Sequence, residues 1–404
     1  MITDLPEFVD EMVGGEVRDP YPEFADKRRH DSVWFGTFLS PSMLPGGLEP
    51  RSDWMVFRYE DCSYVLRAAR IFSSAGYTET IGLVFGRTML EMDDPEHRPH
   101  RNLVAQAFRE QSLARWKPGV IGPVCHELID RFADRGHAEL VTELTSHFPV
   151  RVIARILGLP DEDFGQFHRW ANHLFGVATN PEQGLRASAH LRDYFKEIVA
   201  DRRRTPRDDL ISDLVAAEID GERLEDEAIY SFLRILLTGG ADTTYRASGS
   251  TLFLLLTHPM QLDAVRADRR LVGAAIEESL RLEPPAVGIY RTATRDVEVG
   301  GVVIPQGASI YVVLASANHD ETRWPNPDRF DIFRPPQQHL TFAQGPHMCL
   351  GMHLARMETA VLLDVVLDRL PGLRLAPDGQ DPHVHGIIFR SPTSVPVTFE
   401  PQRP

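Results

Sequence analysis

Cysteine is scarce in this chain of 404 residues: there are three, Cys62, Cys125 and Cys349. They stand singly, without a CxxC pair or a His/Cys spacing suited to zinc, and an odd number excludes a complete disulfide framework. Lysine is scarce too, three of 43 basic residues. Arginine codons are GC-rich, so this points to a GC-rich bacterial genome and is silent on function. No apolar run is long. The strongest, LFLLL at 252–256, is far short of the roughly 20 residues that span a bilayer. Positive charge is outweighed, and a net charge of −15 excludes a general nucleic-acid binder, which needs a basic face. The opening MITDLPEFVDEMVGGEV has neither the basic start nor the apolar core of a signal peptide. With unpaired cysteines, the expectation is a reducing cytoplasm and no membrane.

What is present reads as a mainly helical protein with small β-sheets. Composition, 43% hydrophobic and 25% charged, is that of an ordinary globular chain. Up to about residue 95, short elements alternate with Pro/Gly-rich connections such as SPSMLPGGLEP at 40–50. Beyond it helical periodicity dominates, in 119–135, 139–157 and 185–204. A long apolar helix is expected from Glu225 to His258, stopped by Pro259, and another over 271–282, before Pro284-Pro285. The period then changes to two in DVEVGGVVIPQGASIYVVL (296–314), short strands around a Gly300-Gly301 turn. A final helix is expected over about 352–370. No repeat or linker marks a cut, so one domain over 1–404 is expected, although length alone suggests about two or three.

Cys62 and Cys125 read as small buried apolar residues. Cys349 has different surroundings, Phe342-x-x-Gly345-x-His347-x-Cys349-x-Gly351 followed by a helix. Glycines let the backbone approach a bulky partner closely, and a helix N-terminus favours an anionic sulfur. One thiolate with no nearby ligand set suits a metal that brings its own four donors, which is haem iron.

FAQGPHMCLG resembles the haem-binding loop of the cytochrome P-450 monooxygenases, F-G-x-G-x-H-x-C-x-G, with Ala343 in the first glycine position. Other segments agree. LLTGGADTTYRA (236–247) places two glycines in mid-helix, at a cost of roughly 1 kcal/mol each relative to alanine. A glycine pair alone reads as close helix packing, but Asp242-Thr243-Thr244 follows at once. The stretch is similar to the family's A-G-x-[DE]-T-T, with Gly239 in the alanine position. The resemblance implies that Thr243 hydrogen-bonds dioxygen and that Asp242 relays protons. Glu278 and Arg281 match E-x-x-R, and PDRF at 327–330 resembles P-E-R-F, implying a structural triad of Glu278, Arg281 and Arg329. His97 and Arg101, at H-x-x-x-R, with Arg291 and His347, match the family's partners of the haem propionates.

These matches run from 97 to 351 in family order, so the resemblance covers essentially the whole chain. It implies a cytochrome P-450 fold with haem b (iron protoporphyrin IX) between the long central helix and the cysteine-loop helix. Cys349 is then the axial thiolate. The implied reaction inserts one oxygen atom of O2 into a small molecule by hydroxylation or epoxidation. Without a nicotinamide or flavin fingerprint, electrons are expected from a separate ferredoxin and its reductase. A peroxide-driven peroxygenase is the alternative enzyme, disfavoured because such members typically lack the acid–alcohol pair. A non-catalytic haem sensor or docking module is the third reading. Apolar segments that line the family's pocket (Ile81, Val84, Phe85, Ile235, Gly239, Val287, Ile289 and Ile388) point to a lipophilic substrate. Arg98, about 100° around the helix from His97, and Arg356 are expected to form a basic patch for the redox partner.

Overall fold

Strands from two distant parts of the sequence, 33–73 and 289–312, meet in one sheet. The computed structural model describes residues 15–43, 49–175, 177, 180–377 and 381–402; residues 44–48 of the expected Pro/Gly-rich connection lie outside these. Strands β1 (Val33–Gly36), β2 (Asp53–Val56) and β3 (Phe72–Ser73) come first. Helices α1 (Ile81–Phe85), α2 (His97–Gln106), α3 (Phe148–Ile156), α4 (Pro181–Arg204), α5 (Asp226–Thr257) and α6 (Val272–Leu282) follow. Then come β4 (Ile289–Ala293), β5 (Ser309–Val312) and the last long helix, α7 (Met352–Arg369). The five strands form one sheet in the order β1-β2-β5-β4-β3. Only the β2–β5 pair is parallel, with Ile310 opposite Trp54.

Helix α5 has 32 residues, about 48 Å at 1.5 Å per residue. It is buried along most of its length and packs against α3, α4, α6 and α7, which is why its sequence is apolar nearly all round. Its ends fall one residue inside the expected Glu225–His258, because Pro259 opens a new helix. Two expected helices are interrupted. Gly122–Ile129 is preceded by a π turn at Lys117–Ile121. The segment 139–157 holds a strand end, a π turn and then α3, whose first turn contains Pro149. The missing proline N–H tolerates only the first turn of a helix, so prolines 118, 123 and 149 set these breaks. Gly300 and Gly301, at φ 56° and 83°, join Val297–Val299 to Val302–Ile304. Two successive positive φ values require such residues.

Cys62 and Cys125 are fully buried in the core. Among the described residues no helix is long and apolar enough to cross a membrane.

Candidate active site

Helix α5 and the loop before α7 face each other across a cavity of about 620 Å3. Cys349 lines it and is exposed toward it. The loop is pinned by its backbone: Cys349 N–H donates to the Phe342 carbonyl (2.9 Å) and Met348 N–H to the Gly345 carbonyl (3.1 Å). Gly345 sits at φ 74°, and a Cβ there would lie 2.5 Å from the Leu66 carbonyl. Ala343, where the family pattern has glycine, takes φ 56°, a left-handed conformation that costs an L-residue about 1–2 kcal/mol. Burial pushes the Cys349 thiol up, and the Gly351 N–H, Arg101 and Arg356 only partly offset this.

The loop is held from behind. Arg281 grips Glu278 at 2.8 and 2.9 Å and donates to the Asn318 and Pro327 carbonyls. Asn318 in turn binds Leu340 N–H and Thr341 Oγ1, so the pair reaches the segment leading to Cys349. The expected third member is corrected. Arg334, not Arg329, reaches Glu278 (Nε to Oε1, 3.2 Å), while Arg329 is exposed and contributes only its carbonyl.

Arg356 is also placed differently from the expectation of a free surface charge. It forms two hydrogen bonds to Glu277 (2.6 and 2.8 Å) and its guanidinium lies 4.4 Å from the Phe342 ring centroid. Burial pushes the Glu277 carboxyl up, but hydrogen bonds from Arg356 and His339 outweigh it and hold the group down at about 2. Arg98 does lie on the surface, 3.3 Å from Asp94.

Four basic side chains converge on one edge of the cavity. The His97 and His347 rings are 4.1 Å apart. Arg101 donates to the Met348 carbonyl and Arg291 to the Tyr290 carbonyl. Arg101, Arg291 and His347 line the cavity; His97 and Arg291 are buried. Among the described residues none of the four has a carboxylate at ion-pair distance, and His97 Nε2 is buried without a hydrogen-bond partner. Burial, then His97, Arg291 and Arg101, push His347 down to about 3. Such a cluster lacks two negative charges, which the two propionates of haem would supply.

Across the cavity, the adjacent glycines Gly239 and Gly240 of α5 do different things. A Cβ on Gly239 would meet nothing within 4 Å, so this glycine widens the cavity it lines. A Cβ on Gly240 would lie 3.0 Å from Ile153 Cδ1, so this one lets α3 pack closely. Thr243 lines the cavity and donates to the Gly239 carbonyl (2.7 Å). Asp242 is not among the lining residues; it pairs with Arg246.

Of the expected pocket residues, Ile81, Ile235, Gly239, Val287, Ile289 and Ile388 line the cavity. Two are corrected. Val84 faces a separate outer cleft and Phe85 is buried in the core, because a single helical turn divides 81–85 between two sides. Phe232, Leu236, Phe108, Met89 and Phe389 also line it. The first two share a face with Ile235 and Gly239 at three- and four-residue spacing, a signal present in the sequence; the others come from loops with no such period.

The Cytochrome P450 family model matches residues 163–383. Nocardicin C N-oxygenase of Nocardia uniformis subsp. tsuyamanensis is 38% identical over 357 residues, 86% of this chain and 89% of that one. The mycinamicin IV hydroxylase/epoxidase of Micromonospora griseorubida is 35% identical, with 86% and 89% covered. The solved structure of cytochrome P450 CYP109Q5 from Chondromyces apiculatus superposes with a TM-score of 0.86 at 37% identity, covering 95% of this chain and 96% of that one. Likeness along nearly the whole fold establishes membership: the chain belongs to the cytochrome P450 family of bacterial haem-dependent monooxygenases.

Proposed function

We propose that this monooxygenase hydroxylates or epoxidises a lipophilic small molecule in the cytoplasm, with electrons from a separate ferredoxin and its reductase. The observation that carries the reading is the cavity itself. Thr243 stands on one wall, Cys349 on the other, and Ile235, Val287, Ile289, Ile388 and Phe389 form much of the apolar lining. Such walls reward burial of apolar surface by about 25 cal/mol per Å2 and offer few polar groups to orient a hydrophilic substrate. The relatives' names specify chemically different substrates, so no single one transfers to this chain.

Cys349 would hold the haem iron through its sulfur, and His97, Arg101, Arg291 and His347 would hold the propionates. Bound haem supplies the activation of dioxygen. The balance is RH + O2 + two electrons + two protons giving ROH and water. The chain's own part is to exclude water with the apolar walls and to manage those protons. Thr243 Oγ1 turns its hydrogen from the Gly239 carbonyl into the cavity, and the Asp242 carboxylate, behind it on α5, passes protons toward it.

For the redox partner, Arg98 remains the candidate contact. Arg356 is withdrawn from that role in favour of supporting the loop under Phe342. A local patch can steer an acidic partner despite a net charge of −15, since screening limits the far field to about 8 Å at physiological ionic strength.

The test is a spectral-shift screen of the haem-loaded enzyme against lipophilic and polar compounds, followed by turnover of the best binders with reductant and O2 or with peroxide alone. Lipophiles should bind, and turnover should require the ferredoxin system. Productive binding confined to polar compounds, or equal turnover with peroxide alone, contradicts the proposal.

A further inference from the structure

Outside the haem cavity, α1, α4 and the N-terminal half of α5 border a second cleft, of about 990 Å3. The two stand back to back. Along α5, Phe232, Ile235 and Gly239 line the haem side, whereas Ala228, Ser231 and Arg234 line the outer one. On α1, Ile81 faces the haem side and Leu83 the outer cleft.

Arg234 sets this cleft apart. The residue is only 6% exposed. Its Nε donates to the Tyr230 carbonyl (3.2 Å), Nη1 to Ser188 Oγ (2.9 Å) and Nη2 to Ser231 Oγ (3.3 Å). All three acceptors are neutral, and a guanidinium has further donors to give. The other arginines lining the cleft are neutralised: Arg87 by Glu96, Arg192 by Glu227 and Arg223 by Glu218. Among the described residues no carboxylate stands within ion-pair distance of Arg234. Burial, with a further push from Arg192, lowers its pKa to about 10 against the pull of Glu227, so it is a cation at neutral pH. A buried cation without a counter-charge is costly.

The surroundings match an amphiphile. Leu83, 73% exposed, and Leu185, 47% exposed, are large apolar side chains left in solvent, and both line this cleft. Gly86, at φ 76°, brings the backbone against the cation: a Cβ there would lie 2.8 Å from Ser231 Oγ and 3.1 Å from Arg234 Nη2.

We propose that this cleft binds an anionic amphiphile, with a carboxylate or phosphate head on Arg234 and an apolar chain along Leu83 and Leu185. The planar fork of arginine suits either head group. A purely structural Arg234, tying α4 to α5 through Ser188, would make binding indifferent to ligand charge.

The test uses haem-loaded enzyme saturated with an iron-coordinating azole, so that the haem cavity is filled; the Soret band reports that state independently. Dodecanoate, dodecyl phosphate and dodecanol are then titrated by calorimetry. Both anions should bind at one site and at least tenfold more tightly than dodecanol, and whichever binds tighter identifies the preferred head. Arg234→Gln should weaken the anions at least tenfold and leave dodecanol unchanged. Ala189→Glu, an exposed residue lining the cleft, adds a competing carboxylate without touching the buried guanidinium; it should weaken the anions likewise and decides the matter if Arg234→Gln does not fold. Absence of anion binding to the wild type, equal affinity for dodecanol, or anion affinity unmoved by the substitutions overturns the proposal.

Discussion

Arg246 holds Asp242 through two hydrogen bonds of 3.0 Å each, Nε to Oδ2 and Nη2 to Oδ1, one turn apart on α5. Arg246 is almost wholly buried, and its guanidinium lies over Phe389, 5.1 Å from the ring centroid. The acid is thus anchored beside the haem cavity, while Thr243 opens onto it. Thr243 is therefore expected to serve proton delivery with little part in stability, and Asp242 to serve both.

Thr243→Ala removes one hydroxyl whose partner, the Gly239 carbonyl, belongs to the helix. Its stability cost should be about 1 kcal/mol or less, with peroxide release rising and product per reductant falling. Asp242→Asn breaks the ion pair with the buried Arg246, so it should lower the melting temperature more than Thr243→Ala does, and should also slow turnover. Thermal denaturation alongside peroxide assay distinguishes the two. An Asp242→Asn enzyme as stable and as fast as wild type contradicts this account.

Arg291→Gln should change stability in opposite directions with and without haem. In the haem-free protein it removes a buried cation that has no carboxylate partner among the described residues, so the melting temperature should rise. In the loaded protein it removes the proposed propionate donor, and haem affinity should fall by about 2–5 kcal/mol, the usual cost of truncating a buried charge pair. Equal shifts in both forms would show that Arg291 serves packing alone.

Gly345→Ala should fail to hold the cysteine loop. Its Cβ would meet the Leu66 carbonyl at 2.5 Å, and overpacking costs about 1–3 kcal/mol. The left-handed backbone adds about 1–2 kcal/mol. Haem content per purified chain measures the result; a wild-type content means the loop relaxes at little cost.

His168 provides a pH prediction remote from the haem. It is fully buried, and among the described residues both ring nitrogens lack hydrogen-bond partners. Burial, then His147 and Arg151, push it down to about 4. Since the unfolded value is about 6.5, this group's stability contribution is intact above 6.5 and lost as pH falls through 4, up to roughly 3 kcal/mol. His168→Leu should flatten the melting curve against pH across that window. Parallel curves for variant and wild type would show that His168 keeps a proton acceptor or donor when folded.

The limits of α5 were legible because Pro259 is a local signal, and the cysteine loop because its residues lie close together in sequence. Other features depend on tertiary contacts that no local pattern carries. Gly239 and Gly240 are alike in sequence, yet one opens the cavity and the other admits Ile153. Arg334 rather than Arg329 reaches Glu278 because the irregular stretch at 325–337 has no period from which to read direction. Arg356 looked like a surface charge because nothing local reveals Glu277 across the helix interface. Ile81 and Val84 part company because α1 is one turn long and its sequence does not fix which side faces inward.

Ligation of the haem iron by Cys349 is read from the absorption spectrum of the reduced carbon monoxide complex. The wild type should show the strongly red-shifted band of thiolate ligation, and Cys349→His should lose that band even where haem remains bound. A Cys349→Ala protein that keeps the wild-type spectrum contradicts the account.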